Sequence, residues 1–140
     1  MAALIDSCVL LDVFTEDTFW FGWSSAAIAQ EADRGQVVIN PVIYSEISVR
    51  FERVEELEAV LPAEVFEYRP IPREAAFLAG KCFLRYRRRG GNKTAPLPDF
   101  FIGAHAAVEG LTLVTRDPRR IRDHFPRVPL VCPDDGSIRG

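Results

Sequence analysis

Apolar positions along the chain fall into two kinds of run that alternate. Residues 3–11 are almost continuously apolar, broken by Asp6, and short β-branched or apolar runs recur at 37–40, 65–68, 111–115 and 129–132. Runs of this length predict strands buried on both faces. Between them the spacing turns helical: 18–33 with Gly35 as a stop, 42–53, 54–61 before Pro62, and 99–109 ended by Gly110. The longest helix is predicted over 73–89, where Ala75, Leu78, Cys82 and Tyr86 share a face. Gly90, Gly91 and Asn92 end it and open a loop that runs to Pro98.

Short apolar strands alternating with helices predict an α/β fold, with a parallel sheet covered on both faces in one domain over residues 1–140. In such sheets, sites form outside the carboxyl ends of the strands. Acids near strand ends are therefore the first residues to weigh.

Composition narrows the class further. With 48% hydrophobic and 26% charged residues in 140, the chain is neither disordered nor fibrous. No stretch approaches the roughly 20 apolar residues that span a bilayer, so no membrane partner is expected. The first residues include Asp6 and Asp12 and no basic cluster, which reads as a strand rather than a secretion signal. Cys8, Cys82 and Cys132 are odd in number and form no C-x-x-C pair. A disulfide framework or zinc site is not expected, and the cytoplasm is the expected compartment.

The net charge of -3 argues against general nucleic-acid binding, yet the cations are unevenly placed. Residues 81–93 hold Lys81, Arg85, Arg87, Arg88, Arg89 and Lys93 with no acid among them. Residues 116–127 hold Arg116, Arg119, Arg120, Arg122 and Arg127 against Asp117 and Asp123. The first run suits either the negative pole of a helix end or a phosphate-binding patch.

Four carboxylates carry the candidate chemistry. Asp6 follows the first strand among core-forming residues, where an ionised carboxylate costs several kcal/mol unless something accompanies it. It either binds a ligand or caps the following turn. Asp117 follows another apolar strand, within an Asp-Pro turn. Asp99 stands at a helix N-cap, and Glu46 stands early in the helix after Pro41, where the dipole favours an acid. Singly, these are ordinary positions. Together, all four lie near the carboxyl ends of strands and so converge on one edge of the sheet. Clustered carboxylates raise one another's pKa values unless a cation neutralises them, and hard oxygen donors select Mg2+ or Mn2+. Such a site activates water and stabilises charge on a phosphodiester, with one metal or two.

The segments that carry these acids resemble a known family. Leu4-Ile5-Asp6-Ser7, Ser45-Glu46-Ile47, Pro98-Asp99-Phe100-Phe101-Ile102-Gly103-Ala104 and Leu113-Val114-Thr115-Arg116-Asp117 occur in this order over the whole chain. The pattern resembles the PIN-domain ribonucleases, specifically the VapC-like toxins of toxin–antitoxin pairs. The resemblance implies a three-layer sandwich with about five parallel strands, and Mg2+-dependent endoribonuclease activity on RNA. It implies Asp6 and Asp99 as metal ligands and Asp117 as a fourth acid that holds the metal or its water. It makes Glu46 the acid that binds metal or orients and deprotonates the attacking water. Ser7 and Thr115 match the small hydroxyl residues that brace the site. Arg85, Arg88, Lys93, Arg116 and Arg119, drawn from the two basic runs, are the candidates for RNA contact. The resemblance also implies a homodimer and a cognate antitoxin that fills the active-site groove.

One position departs from the pattern: the family commonly has Asn two residues after the first acid, where this chain has Cys8. A thiol is a poor ligand for Mg2+, and no histidine follows in an arrangement that would activate it as a nucleophile. The expected role of Cys8 is support of the acid's geometry.

Other residues read more plainly. His105 lies six positions after Asp99, about 600° around a helix, so the two do not share a face. His105 is expected in helix packing or at the surface, and His124, among cations near Pro126, in a loop, with phosphate contact as the alternative. Asp12 is expected to cap the segment after the first strand. Phe19, Trp20, Phe21 and Trp23 cannot all hide on one helix face, which leaves some exposed or under a dimer or antitoxin partner. Full burial between helices and stacking on RNA bases are the alternatives.

Two other functions fit less well. A receiver-like signalling domain needs an aspartate after the third strand and a late lysine, but Arg69-Pro70 and no lysine beyond 93 stand there. An Asp-x-Asp phosphatase is unsupported, since position 8 is cysteine. A non-catalytic binding module that keeps the fold and its partner surface remains the alternative to the nuclease.

Overall fold

Asp6 decides where the first strand stops. In the computed structural model, which describes residues 1–93 and 97–133, β1 covers only Ala2–Ile5. The Asp6 carboxylate then accepts the Ser7 backbone N–H at 2.8 Å and caps helix α1, Ser7–Phe14. The sequence had predicted strand as far as residue 11. An unbroken apolar run looks alike whether it is a buried strand or a buried helix, and the cap settles it as a helix.

The remaining elements follow the predicted alternation with shifted ends. Helix α2, Phe21–Arg34, starts after Asp17 Oδ1 has gathered the N–H groups of Phe19 and Trp20 into a turn. Strand β2 is Gln36–Ile39, and Asn40 caps α3, Pro41–Ser48, by accepting the Ile43 N–H at 2.9 Å. Helix α4 is Val54–Ala59, β3 is Phe66–Tyr68 and α5 is Arg73–Arg88. The predicted loop from Gly90 to Pro98 lies partly outside the described residues. Helix α6, Pro98–Glu109, places Pro98 and Asp99 in its first turn. Asp99 is thus inside the helix and not its cap, which leaves its carboxylate free of that duty. Gly110 ends α6 with φ +66°, a left-handed conformation that glycine adopts at no steric cost. Strand β4 is Thr112–Val114, α7 is Arg119–His124 and β5 is Leu130–Val131. Helix α7 was not predicted from the sequence. Its six residues bury a single apolar side chain, Ile121, so it carries no amphipathic period to read.

The five strands form one parallel sheet in the order β3-β2-β1-β4-β5. Consecutive residues Ala3, Leu4 and Ile5 are all buried, as are Val37, Val38 and Ile39, so both faces of the sheet are covered. Helices α1 and α2 pack on each other, α2 also contacts β1 and β2, and α5 packs on α6. Gly103 brings α6 against the end of α7, where a Cβ would overlap the Phe125 ring. Among the described residues no helix is long and apolar enough to cross a membrane.

The strand order reverses beside β1: the chain winds outward through β2 and β3, then returns to the other side at β4. Crevices form at such switch points, outside the carboxyl ends of the two central strands. Here those ends are Asp6 after β1 and Thr115 after β4.

Candidate active site

The pairing of β1 with β4 sets Ile5 beside Val114, and the Asp6 N–H donates to the Val114 carbonyl at 2.9 Å. This fixes the first acid at the crevice. Its Oδ1 caps α1, while its Oδ2 accepts the Thr115 hydroxyl at 2.7 Å and the Cys8 thiol at 3.7 Å. The cap reading of Asp6 therefore holds, and its second oxygen stays at the crevice with Thr115 and Cys8. Burial pushes its pKa up despite the hydrogen bonds from Thr115, Ser7 and Cys8, and the charge of Asp117 pushes the same way.

The other acids come from three further elements. Glu46 rides on α3 in its last turn, not early in the helix as expected, because α3 ends at Ser48; Ser7 Oγ donates to its Oε1 at 2.8 Å. Its pKa is raised, chiefly by burial, and further by Asp6 and Asp99. Asp99, in the first turn of α6, is raised by burial and then by Asp6 and Asp117, with Arg120 opposing. Asp117 donates its backbone N–H to Thr115 Oγ1 at 3.1 Å. The fold thus brings all four predicted acids into one electrostatic field, with Ser7 holding Glu46 and Thr115 holding Asp6 and the Asp117 backbone.

The chemistry of this donor set fits a hard divalent cation. The acids offer oxygen atoms, and three of them are held above their ordinary range by burial and mutual repulsion. Cys8 adds no thiolate, because burial and the Asp6 charge push its pKa up to about 12. As the side chains stand, no three His, Cys, Asp or Glu groups among the described residues lie close enough to hold one ion.

Cations flank the acids on one side. An open cleft of about 760 Å³ has Asp99 and Asp117 in its wall, with Arg119, Arg120 and Arg122 from α7 and Tyr86 from α5. Arg119 Nε lies 3.5 Å from Asp117 and Arg120 Nε lies 3.9 Å from Asp99. Of the five predicted RNA contacts, Arg119 alone lines this cleft. Arg85 is exposed on α5 and donates to Cys82 Sγ at 3.1 Å, and Arg88 and Lys93 are exposed and do not line the cleft. Arg116 turns inward onto Asp12. Arg120, Arg122 and Tyr86 were not singled out as contacts. The cations after Asp117-Pro118 would have indicated them had they been read as a helix opening at a proline.

Asp12 and His124 lie elsewhere than the sequence predicts. Asp12 caps nothing: it lies inside α1 and is 2% exposed. His105 is a packing residue, as expected; Asn40 Nδ2 donates to its Nδ1 at 3.0 Å, which leaves Nε2–H to donate to Glu109. His124 is not in a loop but ends α7, with its side chain 5% exposed and its ring edge-on to Phe100. The aromatic run is divided, with Phe19 58% and Phe21 41% exposed while Trp20 and Trp23 are half-buried.

Comparison with known proteins places this geometry. The fold matches VapBC2 from Rickettsia felis bound to a DNA fragment from their promoter, with TM-score 0.71, 16% identity, and coverage of 96% of this chain and 100% of that chain. It matches VapBC-1 from nontypeable Haemophilus influenzae with TM-score 0.66 and 14% identity over 94% and 98% of the two chains. A toxin-antitoxin complex from Klebsiella pneumoniae gives TM-score 0.62 and 21% identity over 92% and 95%. No curated protein matches the sequence. The family model described as PIN domain matches residues 3–128, which run from β1 past β4 and include the four acids, and the chain belongs to the PIN domain family.

Proposed function

We propose that this chain is a Mg2+-dependent endoribonuclease, with Mn2+ able to replace Mg2+, and the toxin of a toxin–antitoxin pair. The observation that carries this reading is the set of acids at the β1/β4 switch point, three of them partly buried and raised in pKa first by burial and then by neighbouring acids, beside the basic wall of α7. Asp6 and Asp99 would hold the ion, with Asp117 completing its shell. When bound, the metal supplies an acidified water and offsets negative charge on the phosphodiester.

The protein's own groups do the rest. Ser7 occupies Glu46 Oε1, which leaves Oε2 to accept the proton of the attacking water. A carboxylate with a raised pKa is better matched to that task near neutral pH. Thr115 holds Asp6 in one orientation, and Arg119 and Arg120 draw the RNA backbone to the acids.

A cognate antitoxin and a homodimer in the cytoplasm belong to the same reading. The toxin–antitoxin complexes that share the fold support the first, and exposed Phe19 and Phe21 offer an apolar surface for a partner. RNA cleavage by the purified, antitoxin-free chain tests the enzyme directly. Cleavage is expected with Mg2+ and lost with EDTA, and lost in folded Asp6→Asn and Asp99→Asn. Cleavage that survives EDTA or either variant overturns it. Absence of cleavage by metal-loaded, folded protein with intact antitoxin binding would favour the binding module.

A further inference from the structure

Arg116 has the position of an RNA contact and the surroundings of a structural tie. Its Nε donates to Asp12 Oδ2 at 2.6 Å and its Nη2 to Asp12 Oδ1 at 3.0 Å, a fork that joins residues 104 positions apart. Ser24 Oγ from α2 donates to the same carboxylate at 2.6 Å. The guanidinium also lies over the Trp20 ring, 5.1 Å from its centroid. A carboxylate as buried as Asp12 persists only when its charge is paired and its oxygens are hydrogen-bonded. The planar fork does both, and a lysine cannot reproduce it.

What this tie holds is the turn after β4. Thr115 donates its backbone N–H to the Val131 carbonyl at 3.0 Å and its hydroxyl to Asp6, and accepts the Asp117 N–H on that hydroxyl. Arg116 sits between the brace and the fourth acid, and its side chain is the anchor that reaches across to α1 and α2. If the anchor is released, the peptide on either side of residue 116 is free to rotate. The Thr115 hydroxyl and the Asp117 carboxylate then lose their fixed directions.

We propose that the Asp12–Arg116 pair is the positioning device of the acid cluster, and that Arg116 fixes Thr115 and Asp117 from behind and does not contact RNA. This rests on the reading of the cluster as the metal site of a nuclease. Asp12 touches neither metal nor RNA in this arrangement, so a defect in Asp12→Asn separates positioning from substrate contact.

The test compares the full chain with Asp12→Asn, Arg116→Lys and the double variant, each checked for fold by circular dichroism. Mn2+ binding is measured by calorimetry, RNA cleavage as kcat and KM at several salt concentrations, and amide exchange of residues 115–117 in metal-free protein. Both single variants are expected to weaken Mn2+ binding and lower kcat by about 10–100-fold, as loss of a supporting contact does. The double variant should be little worse than either single one, and the salt slope of KM should stay unchanged. Exchange at 115–117 should quicken in both. Arg116→Lys keeps the charge against Asp12, so its defect cannot be ascribed to an unpaired buried acid. A weaker salt slope in Arg116→Lys with wild-type behaviour in Asp12→Asn would make Arg116 an RNA contact and overturn the proposal. Unchanged exchange at 115–117 in Asp12→Asn would also overturn it. Wild-type protein that binds no Mn2+ would sink the nuclease reading instead, and the exchange result alone would then decide whether the pair holds the turn.

Discussion

Thr115 Oγ1 donates to Asp6 Oδ2 at 2.7 Å and so joins residues 109 positions apart. The register of two parallel strands makes this contact, because Ile5 lies beside Val114 and each strand ends one residue before its polar partner. The same hydroxyl accepts the Asp117 N–H, so one oxygen orients two acids. Thr115→Val keeps the shape and removes both bonds. It should cost about 1.5–3 kcal/mol, the usual worth of a hydrogen bond to a charged group, and Thr115→Ser should recover most of it. Urea unfolding measures both, and equal midpoints for Thr115→Val and the wild type would show that the hydroxyl holds nothing.

The acids that make the site also strain it. Asp6, Glu46 and Asp99 have pKa values raised by burial and by one another, so their ionised forms oppose folding at neutral pH. Asp99→Asn removes one charge from this field. The metal-free variant should melt a few degrees above wild type, since 1 kcal/mol moves the midpoint of a domain this size by about 4 °C. It should also lose most of the further rise that Mg2+ or Mn2+ gives the wild type. A lower midpoint for metal-free Asp99→Asn would mean that Arg120, 3.9 Å away, stabilises Asp99 more than Asp6 and Asp117 repel it.

Cys8 lies two residues after Asp6, and its thiol keeps its proton. Burial and the Asp6 charge push the pKa up to about 12, and the thiol donates to Asp6 at a long 3.7 Å. Alkylation goes through the thiolate. In folded protein at pH 8, Cys8 should therefore react with iodoacetamide about a thousandfold more slowly than in urea, by the ratio of thiolate fractions. Cys8→Asn should retain cleavage, since an amide N–H can donate to the same carboxylate oxygen. Mass spectrometry of the labelled peptide reads the first claim, and fast labelling of Cys8 in folded protein would contradict it.

The sequence made the sheet and the acids legible because both depend on local order: an apolar run, then an acid at its end. It hid what depends on distant partners. Asp12 looked like a cap because nothing local shows that it faces Arg116. Helix α1 was hidden for another reason. From residue 7 to 11 the apolar run has no period, and only the Asp6 cap distinguishes helix from strand. Helix α7 is short and mostly basic, so the arginines nearest Asp99 and Asp117 went unread as a cleft wall.

His124 gives the fold a dependence on pH that is separate from the acids. Its ring packs edge-on against Phe100, 4.8 Å between centroids, and no hydrogen-bond partner reaches its buried Nδ1 among the described residues. Burial lowers its pKa below the usual 6.5, with Arg89, Arg85 and Arg120 acting the same way and Asp123 opposing. The unfolded chain therefore takes up this proton first as pH falls. The stability tied to neutral His124 is complete above about pH 6.5 and is lost as pH falls towards the depressed folded pKa. The raised acids act in the opposite sense, so the comparison must be with His124→Phe, which keeps the edge-on packing and cannot titrate. Urea unfolding at about pH 7.5 and about pH 5.5 should show wild type losing more stability than His124→Phe on acidification. Equal losses would mean that the folded ring protonates as readily as the unfolded one, and that its burial imposes no electrostatic cost.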